Sequence, residues 1–300
     1  MVHVITGGAG GMGRSIAATL GADSPVLLAD VDEDGLAAAV ADLEDLGVTD
    51  LAYQTVDITD RDAVDALVET AASMGSLQSL VHTAGLSPTM ASPERILAVN
   101  LIGTARLLEA FLELADDGTV AVCFSSNSGY FVPRDGPHTT LLRDPLDPDF
   151  SEKLLKVTGD DSGAAYAFSK LGVQLLVEAQ ADVWARRGAR LLSLSPGIIE
   201  TPMARQEAAQ HEQMQQMIDQ APLRRRGEPA EIASVVEFLV SDGASYMTGV
   251  DVLVDGGATA AMTDELPSPT VASVGLTVKY LFELRVRPLI DRIRRALSGY

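Results

Sequence analysis

Short apolar runs alternate with longer stretches in which apolar residues recur three and four apart, and this alternation persists over the first 260 positions. The short runs predict strands near residues 2–6 (VHVIT), 25–30 (PVLLAD), 51–56 (LAYQTV), 79–84 (SLVHTA), 119–125 (TVAVCFS), 190–195 (RLLSLS) and 251–256 (DVLVDG). Between them lie helical stretches such as MGRSIAATL, EDGLAAAVADLEDLG, DRDAVDALVETAAS, ERILAVNLIGTARLLEAFLELA, AYAFSKLGVQLLVEAQADVWARR and PAEIASVVEFLVS. Strands joined through helices run parallel, and right-handed crossovers place those helices on both faces of the sheet. The predicted class is therefore α/β, a doubly wound sheet of seven parallel strands. Two stretches break the alternation: a Pro- and Asp-rich insert over about 130–163, and an extension beyond DELPSP at 264–269. The expected organisation is one domain over 1–262, carrying the insert, and a helical C-terminal extension over 263–300.

Composition narrows the function classes. A chain of 300 residues, 47% hydrophobic and with 26 glycines, suits a folded domain with a full core rather than disorder. No apolar run reaches the length of a membrane span, and the chain starts directly on a strand pattern without a charged leader, so a cytoplasmic protein is expected. Cys123 stands alone, which excludes an intrachain disulfide and offers no metal cluster; no metal site is expected. A net charge of −20 repels phosphate backbones and argues against a nucleic-acid partner. The extension is the exception: over 270–300 six basic residues (Lys279, Arg285, Arg287, Arg292, Arg294, Arg295) face two acidic ones, a net +4 against −24 for the remainder. Its apolar residues recur at near-helical spacing, with Pro288 as a break, so it reads as an amphipathic segment docking on the acidic body or a partner subunit, or on an anionic membrane surface.

Candidate chemistry is concentrated in two places. TGGAGGMG, residues 6–13, follows the first strand and opens the first helix; glycines there permit a tight turn and let the backbone approach a pyrophosphate at the helix N-terminus. Asp30 ends the second strand, where a carboxylate accepts hydrogen bonds from both ribose hydroxyls of NAD and repels the extra phosphate of NADP. Arg14, after the loop, makes at most an incomplete phosphate clamp. The doubly wound sheet thereby takes a Rossmann-type reading with NAD as cofactor. The second place is YAFSK, where Tyr166 and Lys170 stand four apart and share one helical face.

Taken together these segments resemble the classical short-chain dehydrogenase/reductase family, across almost all of 1–257. TGGAGGMG fits its glycine loop with Gly7, Gly11 and Gly13, Met12 lying within it; Val56-Asp57 fits its adenine-contacting aspartate, with Ile58 beside it; HTAG at 82–85 stands where Asn-Asn-Ala-Gly is usual. VNLIG carries Asn100, FSS carries Ser126, YAFSK carries Tyr166 and Lys170, and SPGIIETPM resembles the nicotinamide-side Pro-Gly segment with Pro196, Gly197, Ile199 and Thr201. Two departures stand out. HTAG replaces both asparagines, leaving Ala84 and Gly85 for close approach to the adenosine and Thr83 to supply a lost hydrogen bond, which is expected to weaken the bracing of the sheet. The interval from Ser126 to Tyr166 is longer than usual, and the extra segment is expected to bulge outward, since long loops cost little closure entropy. A similar insert, with PLRRRGEPAEIASVVEFLVSDGASYMTGVDVLVDGG, makes the 3α-hydroxysteroid dehydrogenase/carbonyl reductase subgroup the nearest likeness.

The resemblance implies hydride transfer between a secondary alcohol or ketone and NAD, with a homo-oligomer, dimer or tetramer, as the assembly. Tyr166 is the implied acid/base; its ordinary pKa of about 10 is too high, and the neighbouring Lys170 ammonium favours the phenolate. Ser126 holds the substrate oxygen, and Asn100 positions a water linking Lys170 to solvent. Pro196 and Gly197 turn the backbone past the nicotinamide, Ile199 offers N–H and C=O to the carboxamide, and Thr201 its hydroxyl. Met203, Met214 and Met217 in the following segment form an apolar wall for a bulky hydroxysteroid-like substrate, or serve as core fillers. The alternatives are a reductase of carbonyl or acyl substrates, and a non-catalytic NAD-binding sensor or scaffold.

Overall fold

In the computed structural model, which describes residues 1–201 and 212–264, seven parallel strands are ordered β3-β2-β1-β4-β5-β6-β7. They are β1 (Val2–Thr6), β2 (Val26–Asp30), β3 (Leu51–Thr55), β4 (Leu77–His82), β5 (Val120–Phe124), β6 (Arg190–Pro196) and β7 (Asp251–Val254). β1, β2 and β5 are buried on both faces because helices cover both sides, the pattern expected of a parallel sheet. The chain order reverses between β1 and β4. Their C-terminal ends therefore part at a topological switch point, the crevice where such sheets bind ligands.

The helices are α1 (Gly11–Leu20), α2 (Glu33–Asp45), α3 (Arg61–Met74), α4 (Pro93–Leu97), α5 (Thr104–Phe111), α6 (Pro137–Leu142), α7 (Phe150–Thr158), α8 (Ser162–Ala185) and, beyond residue 211, α9 (Glu212–Gln220), α10 (Pro229–Val240) and α11 (Ala258–Asp264). Carboxylates start several of them. Asp32 accepts from Gly35 N, Asp60 from Asp62 N, and Asp161 from both Gly163 N and Ala164 N, satisfying donors that the first turn leaves unpaired. One apolar layer, including Ile16, Leu36, Leu192 and Val236, lies on the α1/α2/α10 face; the other, including Leu67, Leu107, Phe111, Leu171 and Trp184, lies on the α3/α5/α8 face.

Three expectations are corrected. β4 begins two residues earlier and ends at His82, so Thr83 and Ala84 lie beyond its end, at the crevice. The stretch read as one helix from Glu94 is α4 and α5 joined by a π-helical segment, Ala98–Gly103, and it ends at Phe111. The wider turn is accommodated locally. Ile58 presses on Gly103, its Cδ1 2.9 Å from where a Cβ would sit, and Thr104 Oγ1 donates to the Asn100 carbonyl at 2.7 Å. The insert, finally, does not bulge outward. It contains α6 and α7, which fold back onto α8 and α4, and it buries Leu142, Phe150 and Leu154 in the core. The expected bounds of 130–163 shift accordingly: residues 130–131 close a 3₁₀ turn after β5, and α8 begins at Ser162. The C-terminal extension beyond Asp264, Met203 and His211 lie outside the described residues.

Candidate active site

The glycine turn shows why these positions exclude side chains. Gly7 has φ +74°, and a Cβ there would lie 2.5 Å from Thr83 Oγ1 and 2.6 Å from Ala84 N; at Gly13 it would lie 2.3 Å from Gly7 O. The turn is thus packed between β4's end and itself, while α1 opens at Gly11 behind a glycine N-cap with no acidic residue in its first turn. Met12 packs on the α1-side core. Amides with no side-chain acceptor at a helix N-terminus suit a pyrophosphate. We expect Gly13→Ala to weaken NADH binding at least about tenfold, measured by fluorescence titration, because the clash is with backbone and cannot be relieved by a rotamer change.

Asp30 reaches the same turn, accepting from Ala9 N at 3.1 Å through Oδ2 and from Asp32 N at 3.2 Å through Oδ1. A carboxylate offers about four lone-pair positions, so capacity for a ribose diol remains. Arg14 points elsewhere: Nε donates to Ala9 O at 3.0 Å, Nη2 to Gly35 O at 3.1 Å, and Nη1 pairs with Asp42 at 2.5 Å. At the far rim Asp57 accepts from Thr59 N at 2.9 Å and Thr59 Oγ1 at 2.7 Å, and pairs with Arg95 at 2.9 Å. Burial would raise this carboxyl's pKa, but the hydrogen bonds from Thr59 and Arg95 outweigh it and hold the group below its ordinary value. Ile58 is buried against Gly103.

HTAG does more than its departures suggested. Thr83 Oγ1 donates to Thr6 O at 2.8 Å, bridging β4 to β1, and His82 adds a second bridge: Nδ1 meets Thr6 Oγ1 at 2.6 Å and Nε2 meets Thr104 Oγ1 at 2.9 Å. The expected weakening of the sheet brace is therefore not found. The tautomer follows from the partners. Thr104's single proton goes to Asn100 O, so His82 must donate through Nε2 and accept from Thr6 through Nδ1. Burial, with a smaller effect from Lys170, pulls the His82 pKa down to about 3 and keeps the ring neutral.

Asn100, Gly85, Lys170 and Phe124 converge. Asn100 Oδ1 accepts from Leu86 N at 2.7 Å and its Nδ2 donates to Leu86 O at 2.9 Å, pinning the π-helical segment to the loop after β4. A Cβ on Gly85 would lie 3.3 Å from Asn100 Oδ1 and 3.4 Å from Lys170 Nζ. Lys170 Nζ donates to Phe124 O at 3.0 Å and stands 5.6 Å from the Tyr166 ring centre. Burial lowers the lysine pKa to about 8. Ser126, two residues beyond Phe124, caps the 3₁₀ turn Asn127–Phe131; its Oγ accepts from Ser128 N at 3.2 Å and makes a long bond to Asn127 Oδ1 at 3.4 Å.

The nicotinamide-side segment forms a parallel bridge, with Gly227 N donating to Ile198 O at 3.0 Å and Glu200 N to Gly227 O at 2.8 Å. Because successive peptides alternate, the N–H and C=O of Ile199 face the opposite side. Gly197 packs on Asp255, whose Cα would be 2.7 Å from a Cβ at that position, and Pro196 ends β6. Thr201 is the last described residue before the gap. A cleft of about 90 Å³ adjoins this segment, walled by Ile199, Met217, Ile218, Ala221 and Leu223 and edged by Arg225, Glu231 and Asp255. Of the methionines expected to line it, Met217 is there; Met203 and the Met214 side chain lie outside the described residues. Spacing alone did not reveal His82, the π-helical turn or Arg95; His82 was legible only as a substitution within HTAG.

A glycine cradle at a switch point, a carboxylate at the end of β2 and a buried lysine facing a tyrosine ring are arranged as in an oxidoreductase of the Rossmann type that holds a nicotinamide dinucleotide. Family models bear this out: residues 1–136 match the short chain dehydrogenase model, and residues 155–259 one described as enoyl-(acyl carrier protein) reductase, so that the heart of the insert falls between them. The chain is 37% identical to short-chain dehydrogenase/reductase bsc3 of Alternaria brassicicola over 87% of its own length and 97% of the relative's. It is 32% identical to 3-alpha-hydroxysteroid dehydrogenase/carbonyl reductase of Comamonas testosteroni over 62% of its length and 74% of the relative's. The crystal structure of 3-alpha-hydroxysteroid dehydrogenase from Pseudomonas sp. B-0831, complexed with NADH, superposes with a TM-score of 0.71 at 26% identity, covering 88% of this chain and 99% of that one. The chain belongs to the short-chain dehydrogenase/reductase family.

Proposed function

We propose that this protein is an NAD-dependent dehydrogenase that interconverts a secondary alcohol and a ketone on a hydrophobic, hydroxysteroid-like substrate. The observation that carries the reading is the buried Lys170 ammonium, 5.6 Å from the Tyr166 ring centre and 3.0 Å from the carbonyl of the strand that delivers Ser126. The glycine turn, Asp30, Asp57 with Ile58, Ala84-Gly85 and the Pro196–Thr201 segment would hold NAD, which supplies the hydride acceptor. Tyr166 takes the hydroxyl proton as the alcohol is oxidised and returns it in reduction. Lys170 favours the phenolate, Ser126 donates to the substrate oxygen, and Asn100 fixes the loop that leads from Lys170 towards solvent.

The choice of NAD rests on Asp30 and on Arg14, whose guanidinium is committed to Ala9, Gly35 and Asp42. Asp30→Ala combined with Val31→Arg is expected to shift preference towards NADP at least about tenfold, read from kcat/KM with each cofactor. The likeness to hydroxysteroid dehydrogenases supports a hydrophobic substrate, and Met217, Ile218, Ala221 and Leu223 place apolar side chains next to the Pro196–Thr201 segment. A homo-oligomer in the cytoplasm completes the reading, with the basic C-terminal extension docked on the acidic body or a partner subunit and an anionic membrane surface as its second target; among the described residues no helix is long and apolar enough to cross a membrane. A second reading, reduction of a carbonyl or acyl substrate, takes its support from the family model matched over 155–259. An absorbance screen at 340 nm with hydroxysteroids and other secondary alcohols, in NAD and NADP, tests both. Turnover that falls at least about a hundredfold in Tyr166→Phe is expected. Equal turnover in the two proteins sinks the mechanism, and a marked preference for NADPH selects the second reading.

A further inference from the structure

Gln174 lies on α8 one turn beyond Lys170 and is 1% exposed. Its Nε2 donates to Ser125 Oγ at 3.2 Å and to Ser195 Oγ at 3.1 Å, and its Oε1 accepts from Arg134 Nη1 at 3.0 Å. Arginine can only donate, which orients the amide. Ser125 Oγ in turn donates to Lys170 O at 2.8 Å and so only accepts from Gln174. Each partner adjoins the site: Ser125 precedes Ser126, Ser195 precedes Pro196, and Lys170 is itself the charged group. Arg134 belongs to the insert. Its other arm pairs with Glu178, which also accepts from Arg143 at 3.0 Å, and the His138 ring meets Phe168 edge-on at 5.2 Å. The turn between Ser126 and the insert is pressed onto the same helix, for a Cβ on Gly129 would lie 2.8 Å from Leu171 N and 3.0 Å from Gln174 Nε2.

We propose that Gln174, held by Arg134 of the insert, is a positioning residue that ties the lysine-bearing helix to the ends of β5 and β6 and so sets the placing of Lys170, Ser126 and the Pro196-Gly197 turn. Gln174 touches no reacting atom. It joins three elements that no short covalent path links, and a buried amide with both N–H donors and its oxygen engaged tolerates little sliding among them. Proton and hydride transfer are sensitive to misplacement of about 1 Å, so loosening this junction acts on the chemical step. The insert, in this view, is a brace on the active site rather than a passive loop. The inference rests on the dehydrogenase reading above.

The test compares Arg134→Ala, Arg134→Lys, Gln174→Leu and Tyr166→Phe in the full-length protein. Two readouts are taken: kcat and KM with the best alcohol from the screen, and the pH midpoint at which NADH binding, followed by its fluorescence, is lost as the lysine deprotonates. Arg134→Ala and Gln174→Leu are expected to lower kcat at least about tenfold with KM for NAD changed less than about twofold, and to move the midpoint by about half a unit or more. Arg134→Lys, which keeps one donor to the amide, is expected to restore most of both. Parental kcat and an unmoved midpoint in Arg134→Ala and Gln174→Leu would overturn the proposal, whatever their melting temperatures. Should Gln174→Leu fail to fold, the half-exposed Arg134 carries the same test alone. Full turnover in Tyr166→Phe would instead count against the dehydrogenase reading, and the NADH midpoint then decides the positioning role by itself.

Discussion

Lys170→Met is expected to lower turnover by a factor of about 10³ or more while changing folding stability at neutral pH by no more than about 1 kcal/mol. The lysine is buried, and burial brings its pKa from 10.5 to about 8. That depression corresponds to about 3 kcal/mol held against the charged form at pH 7, which removal of the lysine relieves, while Phe124 O, left without its donor, costs about 1–3 kcal/mol. With a methionine of similar length the two largely offset, so the fold scarcely registers the change while Tyr166 loses the charge that favours its phenolate. The pH dependence has a definite sign. The folded pKa lies below the unfolded one, so the unfolded chain binds more protons between about pH 8 and 10.5, and the lysine's penalty is full below pH 8 and fades as pH rises through that window. Melting temperatures at pH 7 and pH 10 should therefore move in favour of the parent relative to Lys170→Met as pH rises. A variant that melts far below the parent at pH 7 would make Lys170 a structural residue first.

Where the chain alternates apolar runs with helical periods, its fold is legible. A parallel strand buried on both faces is a short continuous apolar run, and all seven runs lie within two residues of the strands. The glycine turn was legible for a similar reason: Gly7 and Gly13 stand where the backbone leaves no room for a Cβ, a local demand with a local signature. Tyr166 and Lys170 were brought to notice by spacing, since one helical turn fixes their relation without help from the rest of the molecule.

What escaped depends on partners distant in sequence. The insert is rich in Pro and Asp, which reads as an exposed loop, yet Leu142, Phe150 and Leu154 are each buried by an element outside it. The π-helical segment adds a residue to a turn without altering the apolar stripe, so a period near 3.6 continues through it unmarked. Gln174 sits in a helix of mostly apolar residues and reads as a polar intruder until Ser125, Ser195 and Arg134, each from a different element, surround it. His82 is the plainest case. Its two hydroxyl partners are 76 and 22 residues away, and what reads as the loss of an asparagine brace is a longer brace of different chemistry.

That brace has a consequence in acid: between pH 6.5 and about 4 the protein is expected to lose about 6 kcal/mol of stability. Burial, aided slightly by Lys170, holds His82 at about 3, and burial, aided by the terminal amino group, holds His3 at about 4, while both titrate near 6.5 once unfolded. The unfolded chain then binds more protons throughout this interval, so stability is greatest above pH 6.5 and falls as pH falls towards the folded values. At about 1.4 kcal/mol per unit, each histidine accounts for about 3 kcal/mol by pH 4, together about 6 kcal/mol against a typical total of about 5–15 kcal/mol. The geometry shows where the strain enters. A protonated His82 donates at both nitrogens, so Thr6 Oγ1, which now donates to Nδ1, must turn away, and Thr6 is the residue that leads into Gly7. His82→Asn removes the titration at the cost of one or two hydrogen bonds, about 1–2 kcal/mol at pH 7.5. Its denaturation free energy should fall less steeply than the parent's and cross it as pH drops from 7.5 to 4.5. Parallel curves would move the acid lability to other groups. Carboxylates cannot imitate the effect, because one held below its ordinary range, such as Asp57, gives up its stabilisation only below about pH 4, whereas the histidine loss begins more than two units higher.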